Sequence, residues 1–200
     1  MASTDSRAAA VGRWLFQRRT WLPLPFALAL VALARPPAGR LLLAAGITLV
    51  IAGEAIRLWA VHHIGVISRT RADRLGPLVT TGPFSIVRNP LYVGNLLLWS
   101  GMACWAGAPW MVAAAWLLFG PLYFFITRWE EQQLESRHGE TFRAYARRVG
   151  AWTPRVPPAD ELRVSPPFSW RETVFSERGT LVAILVMGAL LSLALVTRRV

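Results

Sequence analysis

The chain has 200 residues, of which 54% are hydrophobic and ten are tryptophan, which exceeds what an ordinary soluble domain carries. Its formal net charge of +11 comes entirely from arginine, and the lack of lysine excludes Schiff-base chemistry and a P-loop lysine. The single cysteine, Cys104, excludes an internal disulfide and a cysteine-based metal site. This composition favours an integral membrane protein.

Uncharged apolar runs indicate where the chain crosses the bilayer, because a spanning helix needs about 20 such residues. Residues 89–127 carry no charge and are interrupted near the middle by Gly107-Ala108-Pro109, which predicts a helical hairpin. The segment 41–61 is also long enough, and its Glu54 and Arg57 are spaced to share one helix face. This face is either functional or paired, and pairing of the two residues with each other or with another helix is favoured. The sequence therefore predicts a single all-α membrane domain with five spans, at about 20–34, 41–61, 91–106, 110–127 and 180–196.

The arginines predict the orientation of these spans, because arginine-rich loops stay on the cytoplasmic side. With the N-terminus inside, seventeen arginines fall in cytoplasmic segments and four in external ones. This predicts a multi-pass protein of the cell (inner) membrane, and it accounts for the positive charge without a nucleic-acid partner. The two long segments that do not span, about 64–89 and 128–179, are then cytoplasmic, and we expect the chemistry there.

The densest motif runs from Leu78 to Gly94, at the cytoplasmic mouth of the third predicted span. Gly82-Pro83 is typical of a turn, and Asn89-Pro90 is typical of a helix start that the Asn89 side chain caps. Capping does not account for Arg88, which would stand beside a helix N-terminus that attracts anions. This placement predicts an arginine clamp for a carboxylate or a phosphate.

Two adjacent carboxylates, Glu130 and Glu131, follow the fourth predicted span. They are either a solvated helix end or a site for the ammonium and ribose hydroxyls of a cofactor. Further on, Gly139 is expected to break the helix that continues from this span. Apolar residues at helical spacing between 134 and 149 alternate with arginines, which predicts an amphipathic basic helix on the membrane surface.

Metal and hydrolase chemistry find little support in the sequence. His62 and His63 end the second predicted span, but no third ligand stands at a metal-site spacing, so no metal site is predicted. The chain also has no dinucleotide-binding glycine motif, no Walker loop and no serine nucleophile elbow.

The order and spacing of these motifs resemble the isoprenylcysteine carboxyl methyltransferases and the phospholipid N-methyltransferases. The resemblance covers about residues 78–157 and consists of Leu-Val-Thr, Gly-Pro-Phe, Arg-Asn-Pro-Leu-Tyr-Val-Gly, a helical hairpin, Glu-Glu, His-Gly and a proline-bearing loop. Members of that family usually read Arg-His-Pro-x-Tyr-x-Gly, whereas this chain has Asn89 in place of the histidine. Tyrosine is common after Gly-Pro, where this chain has Phe84.

The resemblance implies a membrane methyltransferase that uses S-adenosylmethionine and a lipophilic acceptor, such as an isoprenylcysteine-like carboxylate, a lipid amine or a thiol. It implies a cytoplasmic cofactor pocket within a catalytic region of about 76–158, and it makes Arg128 the candidate catalytic residue that contacts the substrate. The implied cofactor-binding residues are Pro77, Leu78, Val79, Phe84, Arg88, Asn89, Pro90, Tyr92, Gly94, Glu130 and Glu131.

Two other functions stay open at this point. Membrane NADPH-dependent sterol or steroid reductases carry a similar Arg-His-Pro-x-Tyr-x-Gly segment, but close to the C-terminus, whereas about a hundred residues follow it here. A non-catalytic membrane accessory protein is the third possibility, and Asn89 is the best argument for it. Binding of S-adenosylmethionine, of NADPH or of neither separates the three functions.

Overall fold

The computed structural model describes residues 2–36, 39–65, 78–166 and 168–198, and every regular element within these ranges is a helix. The predicted all-α class is therefore confirmed for the described part of the chain. In chain order the helices are α1 (Ala2–Arg18), α2 (Leu24–Leu33), α3 (Arg40–Ile64), α4 (Pro83–Ile86), α5 (Pro90–Trp105), α6 (Trp110–His138), α7 (Glu140–Arg148), α8 (Ala159–Leu162) and α9 (Trp170–Thr197).

Among the described residues, three helices, α3, α6 and α9, are long and apolar enough to cross a membrane. They have 25, 29 and 28 residues, against the requirement of about 20, and their mean hydropathies reach 1.9, 1.7 and 2.5. They correspond to the second, fourth and fifth predicted spans, although α6 continues eleven residues beyond position 127 and α9 starts ten residues before position 180. By length and composition, these helices favour association of the chain with a membrane.

The helices at the first and third predicted spans are shorter. Helix α2 has ten residues, because Pro23 and Pro25 set its start and residues 20–23 form turns instead of helix. Helix α5 has 16 residues. At a rise of about 1.5 Å per residue they extend for roughly 15 and 24 Å, so their role as spans stays a prediction.

Helices α3 and α5 pack with their backbones in direct contact, and glycines on both helices make this possible. A Cβ atom added at Gly53 would lie 2.7 Å from the carbonyl oxygen of Gly94, and one added at Gly101 would lie 2.6 Å from that of Gly46. Small residues allow this close approach where lipid provides no hydrophobic force between helices. Gly94, expected at the cofactor, therefore serves helix packing.

A buried charged cluster joins α9 to this helix pair. The Arg57 guanidinium donates to Glu54 at 3.3 Å and to Glu177 of α9 at 2.8 Å. It also donates to Asn95 of α5 and, at 3.0 Å, to Thr180 of α9. The expectation of a paired polar face on α3 is thus confirmed, because Glu54 and Arg57 pair with each other and Arg57 also pairs with another helix, α9. Buried ions need such partners, because an unpaired charge in lipid is costly.

Helix α1 packs against the C-terminal half of α6. A Cβ atom at Gly12 would come within 2.1 Å of the Phe125 carbonyl oxygen, which shows that the two backbones touch. One turn further, the rings of Phe16 and Trp129 pack with centroids 4.7 Å apart. The residue after Trp129 is Glu130, so α1 fixes the position of α6 at the point where the paired carboxylates begin.

We predict that Gly94→Ala destabilises the protein, because its methyl group would meet the Gly53 carbonyl oxygen at 2.7 Å and the Arg57 side chain at 2.6 Å. Overpacking of this kind costs about 1–3 kcal/mol. The measurement is the midpoint of thermal unfolding in detergent, followed by tryptophan fluorescence.

Gly120→Ala on α6 is the matched control, since no atom lies within 4 Å of a Cβ at that position. Alanine is the better helix former, so this midpoint is expected to stay unchanged or to rise slightly. Equal midpoints for the two variants would contradict the α3–α5 packing described above.

Candidate functional site

A partly open cleft, with about 750 Å³ of empty space that includes open solvent, lies where the start of α5, the last turns of α6 and helix α7 meet. Hydrophobic side chains form most of its wall, and a few polar groups converge on it. This combination is typical of a small-molecule site. The lining residues are Ile64, Leu78, Val79, Phe84, Arg88, Asn89, Pro90, Leu91, Tyr92, Glu130, Glu131, Leu134, Phe142 and Tyr145.

The segment before α5 forms one side of the cleft, and a glycine turn sets its course. Gly82 has φ +59°, and a Cβ atom there would lie 2.2 Å from the Nε2 atom of His63, so both backbone conformation and space require glycine. Helix α4 follows as a single turn, after which the chain is extended at Val87 and starts α5 at Pro90. The predicted turn and helix start are therefore present.

Asn89 stands at the N-cap position of α5, but its side chain makes no capping hydrogen bond. The expectation that the Asn89 side chain caps the helix is therefore wrong. Its Nδ2 atom donates to the Ala151 carbonyl at 3.1 Å and points to Glu131 at 3.5 Å. The side chain therefore links the start of α5 to the segment after α7.

The two adjacent glutamates are each held by a residue from the start of α5. The Tyr92 hydroxyl donates to Oε1 of Glu130 at 3.0 Å, and the Nε atom of Arg88 donates to Oε1 of Glu131 at 2.9 Å. The Arg88 and Glu131 side chains are each 14% exposed. A pair that is mostly withdrawn from water interacts more strongly than a surface pair, so both carboxylates have fixed positions at the cleft.

Helix α7 forms part of the wall of the cleft. It starts immediately after Gly139, whose φ of +49° ends α6 as predicted. Phe142, Tyr145 and Val149 are buried in a small cluster with Leu134 of α6. The prediction that this apolar stripe lies on the membrane surface is therefore wrong, because its apolar face packs on the protein.

The Tyr145 hydroxyl fastens α7 to the segment before α5. It donates to the Phe84 carbonyl oxygen at 2.8 Å. Burial is the main cause that raises the pKa of Tyr145 well above its ordinary value. The phenol therefore stays a neutral hydrogen-bond donor in any physiological range of pH.

Most of the residues implied by the resemblance line this cleft, but three do not. Pro77 lies outside the described residues. Gly94 faces α3. Arg128 is exposed, with its guanidinium carbon 5.6 Å from the centroid of the Phe124 ring, and it is not part of the cleft wall. The implied residues that do line the cleft are Leu78, Val79, Phe84, Arg88, Asn89, Pro90, Tyr92, Glu130 and Glu131.

Five lining residues were not expected at the cleft. Leu134, Phe142 and Tyr145 belong to the apolar stripe that was assigned to the membrane surface. The helical spacing of this stripe indicated a buried face, but the face packs on the protein instead of on lipid. Ile64 and Leu91 lie in apolar runs that carry no comparable signal. Among the described residues, no group of three or more His, Cys, Asp or Glu side chains is placed to hold a metal ion.

Comparison with known proteins matches residues 41–141, half of the chain, to the phospholipid methyltransferase family. Two curated relatives are each 35% identical over 111 residues: the cobalt-zinc-cadmium resistance protein CzcN of Cupriavidus metallidurans and the nickel-cobalt-cadmium resistance protein NccN of Alcaligenes xylosoxydans xylosoxydans. The aligned region is 56% of this chain, and the chain spans about half the length of each relative, 47%. No solved structure matches significantly. The matched region contains the α3–α5 pair, the start of α5 and both glutamates, and the chain belongs to the phospholipid methyltransferase family.

Proposed function

We propose that this protein is an integral membrane methyltransferase that moves the methyl group of S-adenosylmethionine to a lipophilic acceptor. The observation that carries the proposal is the cleft, where two fixed carboxylates and the start of α5 converge within the region matched by the family. Its mostly apolar wall and its few converging polar groups are typical of a small-molecule site.

The residues of the cleft fit the chemistry of this cofactor, which carries a sulfonium, an ammonium and ribose hydroxyls. Glu130 and Glu131 supply carboxylate oxygens for the ammonium and the hydroxyls, and their negative charge favours a nearby sulfonium. Leu78, Val79 and Phe84 supply an apolar wall for a flat heterocycle. S-adenosylmethionine supplies the electrophilic methyl group when it is bound.

The protein's part in such a reaction is mainly one of position. Methyl transfer from a sulfonium is an in-line displacement, and holding donor and acceptor in line supplies roughly 7–11 kcal/mol of the barrier reduction. A histidine or cysteine in the cleft is therefore not required. Tyr92 and Arg88 fix the two carboxylates, which keeps the site in one geometry.

Asn89 is compatible with this function, although the family commonly has histidine at that position. The role visible here is hydrogen-bond donation from Nδ2 to the Ala151 carbonyl and toward Glu131. A neutral amide performs that role as well as an imidazole N–H does. The exchange therefore removes a titratable group without removing the link between α5 and the segment after α7.

The acceptor is proposed to reach the cleft from the bilayer, while the water-soluble cofactor enters from the cytoplasm. In this topology the N-terminus is cytoplasmic, five spans cross the cell membrane, and the arginine-rich segments lie inside. The acceptor class includes an isoprenylcysteine-like carboxylate, a lipid amine and a lipid thiol. Each of these presents a nucleophile next to a long apolar group.

Neither the family nor the curated relatives support the reductase alternative. The names of the two relatives connect those proteins with resistance to cobalt, cadmium, zinc and nickel. The cleft itself favours methyl transfer over metal binding, because its glutamates are engaged by Tyr92 and Arg88 and not grouped with histidine or cysteine. A non-catalytic accessory role remains an outcome of the experiment below.

We predict that Glu130→Ala lowers the affinity for S-adenosylmethionine by about tenfold or more, because a charge-assisted hydrogen bond contributes roughly twice as much as a neutral one. The maximal rate should change less than the affinity. Isothermal titration calorimetry on the detergent-purified protein measures the affinity. The same titration is made with the Glu130→Ala/Glu131→Ala double variant, and NADPH is tested as a second ligand.

Glu135→Ala is the matched control on the same helix, since Glu135 is exposed and pairs with Arg143 at 2.7 Å, away from the cleft wall. Its affinity should equal that of the wild type. Unchanged affinity in the Glu130 variant would count against the proposed pocket. Binding of NADPH alone would favour a reductase, and binding of neither ligand would favour an accessory protein.

We further predict that Arg128→Gln leaves the affinity for S-adenosylmethionine within about twofold of the wild type, because exposed charges outside a site contribute little. Arg128 was the candidate catalytic residue, and its guanidinium lies over Phe124 instead of in the cleft. The same calorimetric titration checks this prediction. A loss as large as that of Glu130→Ala would contradict the position of Arg128 outside the cleft.

A further inference from the structure

Arg88 lines the cleft, and its position beside a helix start makes it the expected clamp for a ligand carboxylate. The hydrogen bonds that the Arg88 side chain makes in the structure go to other groups of the protein. The Nε atom donates to Glu131 at 2.9 Å, and the Nη1 atom donates to the carbonyl oxygens of Ala146 at 3.0 Å and Val149 at 2.7 Å. With 14% of the side chain exposed, these protein partners dominate its surroundings.

The two carbonyl acceptors belong to the end of α7. The last carbonyls of a helix have no partner within the helix and carry the negative end of its dipole. Arginine side chains stabilise such ends. The backbone of the same residue adds a third contact, because the Arg88 N–H donates to the Gly150 carbonyl at 2.9 Å. Arg88 therefore holds the chain at residues 146, 149 and 150.

Helix α7 is the roof of the cleft, and its Phe142 and Tyr145 form part of the wall. We propose that Arg88 is a positioning residue that holds α7 closed over the cleft and fixes Glu131 beneath it, instead of binding the carboxylate of the cofactor. The statement about the cofactor carboxylate rests on the proposed function. The statement that Arg88 holds α7 rests on the hydrogen bonds alone.

Arg155 also fastens this region, which makes it a useful comparison. Its Nε atom donates to the Ser85 carbonyl at 2.8 Å, and its guanidinium pairs with Glu161. These bonds hold the loop after α7 and helix α8, and Arg155 does not line the cleft. Arg88 and Arg155 thus make the same kind of contact, but only the contact of Arg88 connects the roof to a cleft carboxylate.

The first arm of the test measures backbone hydrogen exchange in the full-length protein in detergent, without cofactor. Arg88→Gln should accelerate exchange at residues 140–151 by about tenfold or more, because loss of charge-assisted bonds lets the roof open locally. In the matched control, Arg155→Gln, the faster exchange should centre on residues 152–163. Unchanged exchange at 140–151 in the Arg88 variant would overturn the proposal.

The second arm compares two ligands that share the adenosine thioether and the ammonium and differ only in the carboxylate. S-adenosylhomocysteine has the carboxylate, and its decarboxylated analogue, S-adenosyl-3-thiopropylamine, lacks it. A positioning role predicts that Arg88→Gln weakens both ligands by a similar factor, whereas a carboxylate clamp predicts a loss for S-adenosylhomocysteine alone. The second result would overturn the proposal.

Arg88→Lys is included in case the glutamine variant does not fold. Lysine keeps the charge next to Glu131 but lacks the planar fork that serves several acceptors at once, so α7 should still exchange faster than in the wild type. Exchange restored to the wild-type level would contradict the proposal. A wild-type protein that binds neither ligand would refute the proposed function, and the exchange arm would still decide the role of Arg88.

Discussion

The close contact of α3 with α5 is the constraint on which the rest of the structure depends. Because Gly53 and Gly94 bring the two backbones together, the start of α5 has one position relative to α3. That start carries Asn89, Pro90 and Tyr92 into the cleft. In a bilayer, where apolar side chains gain little by leaving lipid, such steric fit is a principal source of helix association. The geometry of the site thus depends on a helix contact that lies outside the site.

The charged cluster around Arg57 adds a second constraint of a different physical kind. Its partners come from α3, α5 and α9, so one guanidinium joins three helices by directional bonds. Removing one partner of a buried ion pair leaves a charge that neither lipid nor protein stabilises, which makes the set mutually dependent. The cluster holds α9 against the helices that carry the site. Helix α9 lies outside the region matched by the family.

Local signals in the sequence led to the segments 78–92 and 130–131, and the structure brings residues of both segments together at one cleft. Turn residues, a helix start and paired carboxylates are signals of this kind. Gly94 lies against α3, and in sequence a glycine looks the same whether it faces a ligand or another helix. Arg128 lies outside the cleft wall, because a difference of two positions on a helix turns a side chain by about 200°. The roof was missed because an apolar stripe indicates burial without naming its partner.

In the fold, too, the sequence predicts the features that depend on local signals and misses those that depend on contacts between distant segments. Uncharged runs predicted α3, α6 and α9, since the cost of charge in lipid acts on each segment by itself. The end of α6 could not be read in the same way, because the helix continues past the uncharged run and presents Glu130 and Glu131 on its C-terminal turns. The cleft lies at this end of α6. Its floor is fixed by the steric contact of α3 with α5, and its roof, α7, is fixed by hydrogen bonds from Arg88 and Tyr145. Because an element with few buried contacts opens more readily than a packed core, α7 depends more directly on single side chains than the α3–α5 contact does.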